Sequence, residues 1–333
     1  MHVLEGFYGK PWSLNERLDM LDFLATFQFA GFCYAPKSDK KLRGDMLTLF
    51  TDAELTSIQT LAKKSSDNGL RFTVGLSPIH LLNQPDNASW QQKCQQLLSI
   101  PNAQFALFFD DMPAGETDLA MKQCHFFHRA NALLDGRVSL FCPTFYSDDP
   151  VLERLFGEKP ENYFEVLASL PKEIDIFWTG QKVITRAYDV KALHTINNRL
   201  NRKVTLWDNA FVNDGRKTSQ FLPIGVTANY SEAGAAVNDI YINPMNQPSL
   251  AKINLLMANK GLNLNAALNT LMPKLTALIA NYLPEFKKLG RDSLSTETIQ
   301  AMQADFSESQ HPAAKEIMAW LKGEYIFDPA CLT

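Results

Sequence analysis

Short apolar runs alternate with longer amphipathic segments along most of the chain. Most of the short runs are apolar at every position, which is typical of strands buried on both faces of a parallel sheet. They predict eight strands, over residues 2–6, 31–35, 70–76, 104–109, 138–142, 174–178, 204–207 and 239–243.

The longer segments repeat their apolar positions with the period of a helix. In the segment 52–64, for example, Leu55, Ile58 and Leu61 fall on one face. Ser13 is followed by Glu16 at the spacing of a capping box, which predicts a helix start before Leu18. Further helices are predicted over residues 52–64, 90–98, 116–134, 161–170, 189–200 and 249–258.

Eight strands, each followed by a helix or a loop, predict an α/β fold, namely a closed (β/α)₈ barrel over residues 1–260. An open Rossmann sheet is disfavoured because no GxGxxG pattern follows the first strand. Residues 261–333 read as wholly helical, with segments at 264–289, 296–306 and 312–321. We interpret them as a small helical appendage on the barrel.

Composition narrows the possible partners and the cellular compartment. The 333 residues include 32 Lys and Arg against 36 Asp and Glu, a net charge of −4 that favours neither nucleic acid nor an anionic membrane. No apolar run approaches the roughly 20 residues that span a bilayer. No signal peptide is visible, so we expect a cytoplasmic protein. The odd count of 5 cysteines predicts buried thiols.

We expect no metal and no cofactor. The one pair of histidines at helical spacing, His125 and His128, lacks a third ligand, and a structural role for both is the better interpretation.

Polar and aromatic residues stand where the predicted strands end, which is where barrel enzymes carry their chemistry. Carboxylates, amides and aromatic rings together suit a sugar, which has hydroxyls around its rim and C–H faces. Each residue also has a structural interpretation, since a tryptophan can line the barrel mouth and an asparagine can shape a turn. The set comprises Gly6, Phe7, Tyr8, Lys37, Asp110, Asp111, Tyr146, Trp178, Thr179, Gly180, Trp207, Asp208, Asn209, Asp214 and Asn243.

The aspartate pair Asp110-Asp111 is the strongest candidate for catalysis. It follows the apolar run 105–109, and two carboxylates at the end of a buried strand are costly unless they are used. The pair Asp148-Asp149 precedes Pro150 in a polar loop and reads as turn chemistry. Adjacent strand residues point to opposite faces, so both carboxylates reach one pocket only if the chain bends there.

The strand-end segments together resemble glycoside hydrolase family 84, a family of β-N-acetylglucosaminidases that includes the O-GlcNAcases. The opening EGFYGKPW is the most distinctive stretch, and the matches run in the family's order over about residues 3–257. They lie at 5–12, 34–37, 109–111, 141–144 with Tyr146, 178–180, 207–209 with Asp214, and 243–244.

The resemblance implies a retaining exo-β-N-acetylglucosaminidase in which the 2-acetamido group of the substrate is the nucleophile and forms an oxazoline. Asp110 then matches the carboxylate that holds the acetamido N–H, and Asp111 matches the general acid and base. Tyr146 matches a tyrosine that orients the acetamido group. The remaining matches are to sugar-contacting and pocket-wall positions: Gly6, Lys37, Val183, Trp207, Asn209, Asp214 and Asn243.

The implied substrate is a carbohydrate or glycoprotein with a terminal β-linked N-acetylglucosamine, and its aglycone stays open. Only about 70 residues follow the barrel, so the dimer contacts of longer members are not carried over. Two alternatives remain, which are a catalytically silent sugar-binding barrel and a glycosidase of different sugar specificity.

Overall fold

Eight parallel strands close into a barrel in the computed structural model, which describes residues 1–84, 86–115, 118–325, 327, 329 and 331. The strands pair in chain order, and β1 pairs with β8 to complete the ring. The predicted (β/α)₈ barrel is therefore confirmed. The strands are β1 (His2–Glu5), β2 (Gly31–Tyr34), β3 (Arg71–Leu76), β4 (Gln104–Phe108), β5 (Val138–Cys142), β6 (Asp175–Trp178), β7 (Thr205–Asp208) and β8 (Ile240–Ile242).

Helices follow the strands and cover the outside of the barrel. The predicted capping box is present, because the Ser13 side chain accepts from the Glu16 N–H and the Glu16 side chain accepts from the Ser13 N–H. The barrel helices are α1 (Leu14–Thr26), α2 (Asp52–Asp67), α3 (Ala88–Leu98), α4 (Leu119–Leu133), α5 (Val151–Phe156), α6 (Tyr163–Leu167), α7 (Val190–Leu200), α8 (Tyr230–Ala233) and α9 (Pro248–Lys260).

Two barrel helices differ from their predicted bounds. Helix α6 is half as long as the predicted segment 161–170, and α5 precedes it without a predicted counterpart. The predicted helix 116–134 begins in the structure at Leu119, and its first residues, Glu116 and Thr117, lie outside the described residues.

The C-terminal helices are α10 (Leu264–Leu271), α11 (Thr276–Asn281), α12 (Thr296–Ser307) and α13 (Pro312–Leu321). The prediction of one helical run over 264–289 was wrong, because α10 ends before Pro273 and a wider turn follows Pro284. Proline has no N–H to donate and clashes with the preceding turn, which explains both breaks. The division of the chain at residue 260 stays a prediction.

The C-terminal helices pack on the barrel through a buried carboxylate and on one another through an aromatic cluster. Glu316 of α13 accepts hydrogen bonds from the N–H groups of Ser249 and Leu250, at 2.8 and 2.9 Å, in the first turn of α9. Phe286 lies against Trp320, with ring centroids 5.8 Å apart. None of the described helices combines the length and apolarity needed to cross a membrane.

Aromatic side chains fill the barrel interior below its carboxyl-terminal mouth. Phe108 packs edge-on against Phe177 and Trp207, with centroids 5.9 and 5.1 Å away, and Phe177 in turn meets Tyr241. This cluster closes the barrel from below, so the strand ends above it form a pocket rather than a channel.

Candidate active site

The carboxyl-terminal ends of the strands enclose a pocket of about 520 Å³. All ten residues that were assigned a role from the sequence line it: Gly6, Lys37, Asp110, Asp111, Tyr146, Val183, Trp207, Asn209, Asp214 and Asn243. Tyr8 and Thr179, which stand at strand ends without an assigned role, also line the pocket, and the structure adds Cys142, Ile184 and Val212. The structure therefore brings the ten together, and their individual roles stay predictions.

The chain bends between the two aspartates. Asp110 lies two residues after the end of β4, and Asp111 takes a φ of 55°, in the left-handed region. Aspartate tolerates this conformation better than most residues, although it is strained relative to a strand. The bend breaks the alternation of the strand and lets both side chains line one pocket.

Asp110 lies in a positively charged environment. Lys37 Nζ donates a hydrogen bond to Asp110 Oδ2, and an Arg43 nitrogen lies 3.9 Å from the same oxygen. Burial by itself raises the pKa of Asp110, but the charges of Lys37 and Arg43 outweigh it and hold the pKa below its ordinary value. Its other oxygen, Oδ1, is buried and accepts no hydrogen bond from another described residue. Asp110 is thus an ionised carboxylate with one acceptor left open.

Asp111 is held by two phenols. The Tyr8 hydroxyl donates to Asp111 Oδ2 at 2.6 Å, and the Tyr146 hydroxyl donates to Oδ1 at 3.0 Å. Burial and the nearby carboxylates raise the pKa of Tyr146 well above its ordinary range, so the phenol remains a neutral donor. The adjacent carboxylates therefore have different hydrogen-bond partners, which are the Lys37 ammonium at Asp110 and two phenol hydroxyls at Asp111.

A chain of amides supports the aromatic wall of the pocket. Asn209 Oδ1 accepts from Trp207 Nε1 and from Asn243 Nδ2, both at 2.9 Å. Asn243 Oδ1 accepts from the Gly6 N–H at 3.1 Å, and Asn209 Nδ2 donates to the Val183 carbonyl at 3.0 Å. A Cβ on Gly6 would lie 2.2 Å from Leu4 Cδ2 and 2.8 Å from Trp207 Cζ2, so glycine leaves the space that the indole and the leucine occupy.

Asp214 ties the loop after β7 to the loop after β1. Its Oδ2 accepts from the Tyr8 N–H at 2.8 Å, and the side chain is almost fully buried. Burial raises the pKa of Asp214 to about 6. This carboxylate therefore lines the pocket and also fixes the backbone that carries the Tyr8 phenol.

Three residues that contact or support the site received no role from the sequence alone. Tyr8 follows β1, and its position at a strand end was a usable signal. Arg43 lies in the long loop after β2, where no spacing distinguishes it from its lysine neighbours. Asp208 ends β7 beneath the pocket, where it accepts from Tyr188 and Tyr230 at 2.7 and 2.5 Å, and burial raises its pKa to about 6.

A closed (β/α)₈ barrel whose mouth carries two carboxylates, amides and a tryptophan wall is typical of glycoside hydrolases. The family model for β-N-acetylglucosaminidases matches residues 2–278. Since that match covers most of the chain, the protein belongs to this family of glycoside hydrolases. The resemblance to glycoside hydrolase family 84 is thereby confirmed.

Known relatives agree with this placement. The protein O-GlcNAcases of Rattus norvegicus and Mus musculus are each 27% identical over 241 residues, which is 66% of this chain. The chain spans only about a quarter of the length of these relatives, 25% in each case. A solved structure of a mutant O-GlcNAc hydrolase from Thermobaculum terrenum has a TM-score of 0.79 at 27% identity. That match covers 97% of this chain and 80% of the other.

Proposed function

We propose that this protein is a retaining exo-β-N-acetylglucosaminidase that removes terminal β-linked N-acetylglucosamine from a carbohydrate or glycoprotein. Family membership supports N-acetylglucosamine as the sugar, and the contacts within the pocket support a substrate-assisted mechanism. We further propose that the enzyme acts in the cytoplasm and needs neither metal nor cofactor.

The open acceptor on Asp110 carries the proposal. When the acetamido oxygen of the substrate attacks C1, the acetamido nitrogen gains positive charge and its N–H becomes a stronger donor. An ionised carboxylate with one buried oxygen unpartnered suits that N–H, because a charge-assisted hydrogen bond would then replace a costly orphaned acceptor.

Asp111 is assigned the proton transfers. In the first step the acetamido oxygen bonds to C1 while the bond from C1 to the leaving oxygen breaks, and Asp111 gives that oxygen its proton. In the second step water attacks C1 of the oxazoline, loses a proton to Asp111, and the ring opens to restore the acetamido group. Tyr8 and Tyr146 hold both Asp111 oxygens at the pocket, which fixes the geometry of the transfers.

The closed base of the pocket supports the exo specificity. The pocket is lined by residues that follow strands around the whole barrel mouth, and the aromatic cluster closes it from below, which suits a site for one terminal sugar residue. The resemblance to the family implies that Asp214 contacts O4 and O6 of the sugar, and the bond from Asp214 to the Tyr8 N–H closes the pocket on that side. A sugar extended at O4 would have to displace this contact.

The test compares an aryl β-N-acetylglucosaminide with the matching β-glucoside, which lacks the acetamido group. We expect release of the phenol from the first substrate and little or none from the second. Successive fluorines on the N-acetyl group should slow the reaction steeply, because they weaken the attacking oxygen. Equal rates across the fluorinated series would contradict substrate assistance, and binding without any release would indicate a silent sugar-binding barrel.

A further inference from the structure

Arg43 lies beside the pocket and faces both carboxylates from the loop after β2. One guanidinium nitrogen is 3.9 Å from Asp110 Oδ2, and the other is 3.9 Å from Asp111 Oδ2. The second nitrogen also donates to the Tyr8 hydroxyl at 3.2 Å, and the first donates to Ser77 Oγ at 3.5 Å. The side chain is 17% exposed, so its charge is only weakly screened by solvent.

The negative charges of Asp110 and Asp111 are matched by an equal number of nearby cations only when Arg43 is counted. Two carboxylates, Asp110 and Asp111, face two cations, Lys37 and Arg43. The hydroxyls of Tyr8 and Tyr146 also face the pair and are neutral donors. The Asp214 carboxyl, at the Tyr8 backbone, adds a further acidic group to the same pocket. Lys37 donates directly to Asp110, so Arg43 is the cation shared by both carboxylates.

We propose that Arg43 is a positioning residue for the carboxylate pair: its charge keeps Asp110 ionised, and its hydrogen bond orients Tyr8 toward Asp111. The guanidinium does not line the sugar pocket, so it acts through its neighbours and not by contact with the sugar. Its planar fork reaches Tyr8, Ser77 and both carboxylates at once, which an ammonium group cannot do. This inference rests on the proposed function for its kinetic consequences.

The pH–rate profile is the first readout. Arg43→Met removes the charge at similar length, so Asp110 should hold a proton more tightly and the acid limb of the kcat/KM profile should move up by about one pH unit. The loss should fall mainly on kcat, by about tenfold to a hundredfold, with KM little changed. Arg43→Lys should keep the limbs in place while kcat still falls, because the charge returns without the fork.

A matched control separates this local effect from net charge. Lys41→Met makes the same change of charge two residues away, where the lysine pairs with Glu54 at 2.6 Å and does not face the carboxylates. Its pH profile should match that of the wild type. A profile for Arg43→Met that also matches the wild type, or a rise in KM with unchanged kcat, would overturn the inference.

Unfolding by urea gives a readout that needs no turnover. If Arg43 stabilises the ionised Asp110 in the folded state, the loss of stability in Arg43→Met should be small in acid, where Asp110 is protonated. It should grow as pH rises through the lowered pKa of Asp110 and then level off toward neutral pH. The loss in Lys41→Met should change less over this range. If the wild type releases no phenol from the aryl substrate, the proposed function fails, while a pH-independent loss in Arg43→Met would overturn the inference itself. Should Arg43→Met not fold, Arg43→Lys still tests the requirement for the fork.

Discussion

Asp110 and Asp111 are neighbours in the chain, yet their surroundings suit them to different tasks. Lys37 and Arg43 lower the pKa of Asp110 against the effect of burial, which suits a carboxylate that stays ionised. Asp111 receives hydrogen bonds from two neutral phenols, which suits a group that must gain and lose a proton. The left-handed backbone at Asp111 makes this division possible, since an extended strand would send the two side chains apart.

The division of roles predicts different dependence on the leaving group. Asp111→Ala should lose much more activity on alkyl glycosides than on strongly activated aryl glycosides, by roughly 10²–10⁴, because an acidic phenol leaves without a proton. Asp110→Ala should be impaired on both, since the oxazoline must form whatever leaves. Rates on a series of leaving groups of graded acidity check this.

The opposite pattern would exchange the two roles. A leaving-group dependence in Asp110→Ala alone would assign proton transfer to Asp110. Full activity in both variants would place the chemistry elsewhere in the barrel.

Asp214 makes a second prediction at the residue scale. Asp214→Ala should cost about 2–5 kcal/mol of transition-state stabilisation, measured as a fall in kcat/KM. The reason is that a buried acceptor for the sugar and for the Tyr8 N–H is lost. The pKa of about 6 means that the carboxylate form is lost below that pH, so activity limited by this contact should fall on the acid side. Asp214→Asn keeps an acceptor and cannot titrate, so this acid limb should disappear from its pH profile.

The epimer tests the same assignment independently. A carboxylate at O4 reads the equatorial hydroxyl of glucose-type sugars, so the galacto epimer should be a poor substrate. Equal rates on the two epimers would show that Asp214 does not read O4.

At the scale of the elements, strands contribute side chains of very different size to the barrel interior. Gly75 of β3 lies beside the ring of Phe108 of β4, and a Cβ there would lie 2.6 Å from that ring and 2.6 Å from the Ala35 Cβ. The ring fills the space that a side chain on β3 would occupy, and Trp207 packs against the same ring. The size of residue 75 is therefore coupled to the position of the pocket wall.

Gly75→Ala should consequently destabilise the barrel by about 1–3 kcal/mol, because one added methyl group overpacks a dense interior. Urea unfolding followed by circular dichroism measures this change. Gly234→Ala is the matched control, since a Cβ there meets nothing within 4 Å and its stability should stay near that of the wild type. Equal stability of the two variants would show that the interior can relax around the added group.

At the scale of the whole molecule, one buried carboxylate joins the C-terminal helices to the barrel. Glu316 accepts two N–H groups at the start of α9, and burial raises its pKa to about 7. Because the folded-state pKa lies above the unfolded value, the folded state binds the proton more tightly. Stability from this group is thus present at low pH and is lost as pH rises through about 7.

This linkage is testable by comparing the wild type with Glu316→Gln, which cannot titrate. The free energy of unfolding of the wild type should fall by about 2–3 kcal/mol relative to the variant between pH 5 and pH 7. Urea unfolding at several pH values measures the difference. Parallel curves for the two proteins would show that Glu316 does not couple the helices to pH.

The sequence by itself determined the local structure and the residues offered at the pocket. Apolar runs and helical periods are local patterns that extend over only a few residues each. All eight strands and the capping box at Ser13 could therefore be predicted from the sequence. Polar residues at strand ends follow from the same pattern, because parallel strands bring those ends to one side.

Only the tertiary structure decided how these residues meet. Barrel closure brings the Gly6 N–H to Asn243, 237 positions away, and no local pattern encodes that hydrogen bond. In the folded barrel, Arg43 of the loop after β2 lies near both carboxylates. The backbone at Asp111 is left-handed, and one buried oxygen of Asp110 accepts no hydrogen bond from another described residue. These features depend on packing and electrostatics between distant segments, and those interactions exist only once the ring of strands is complete.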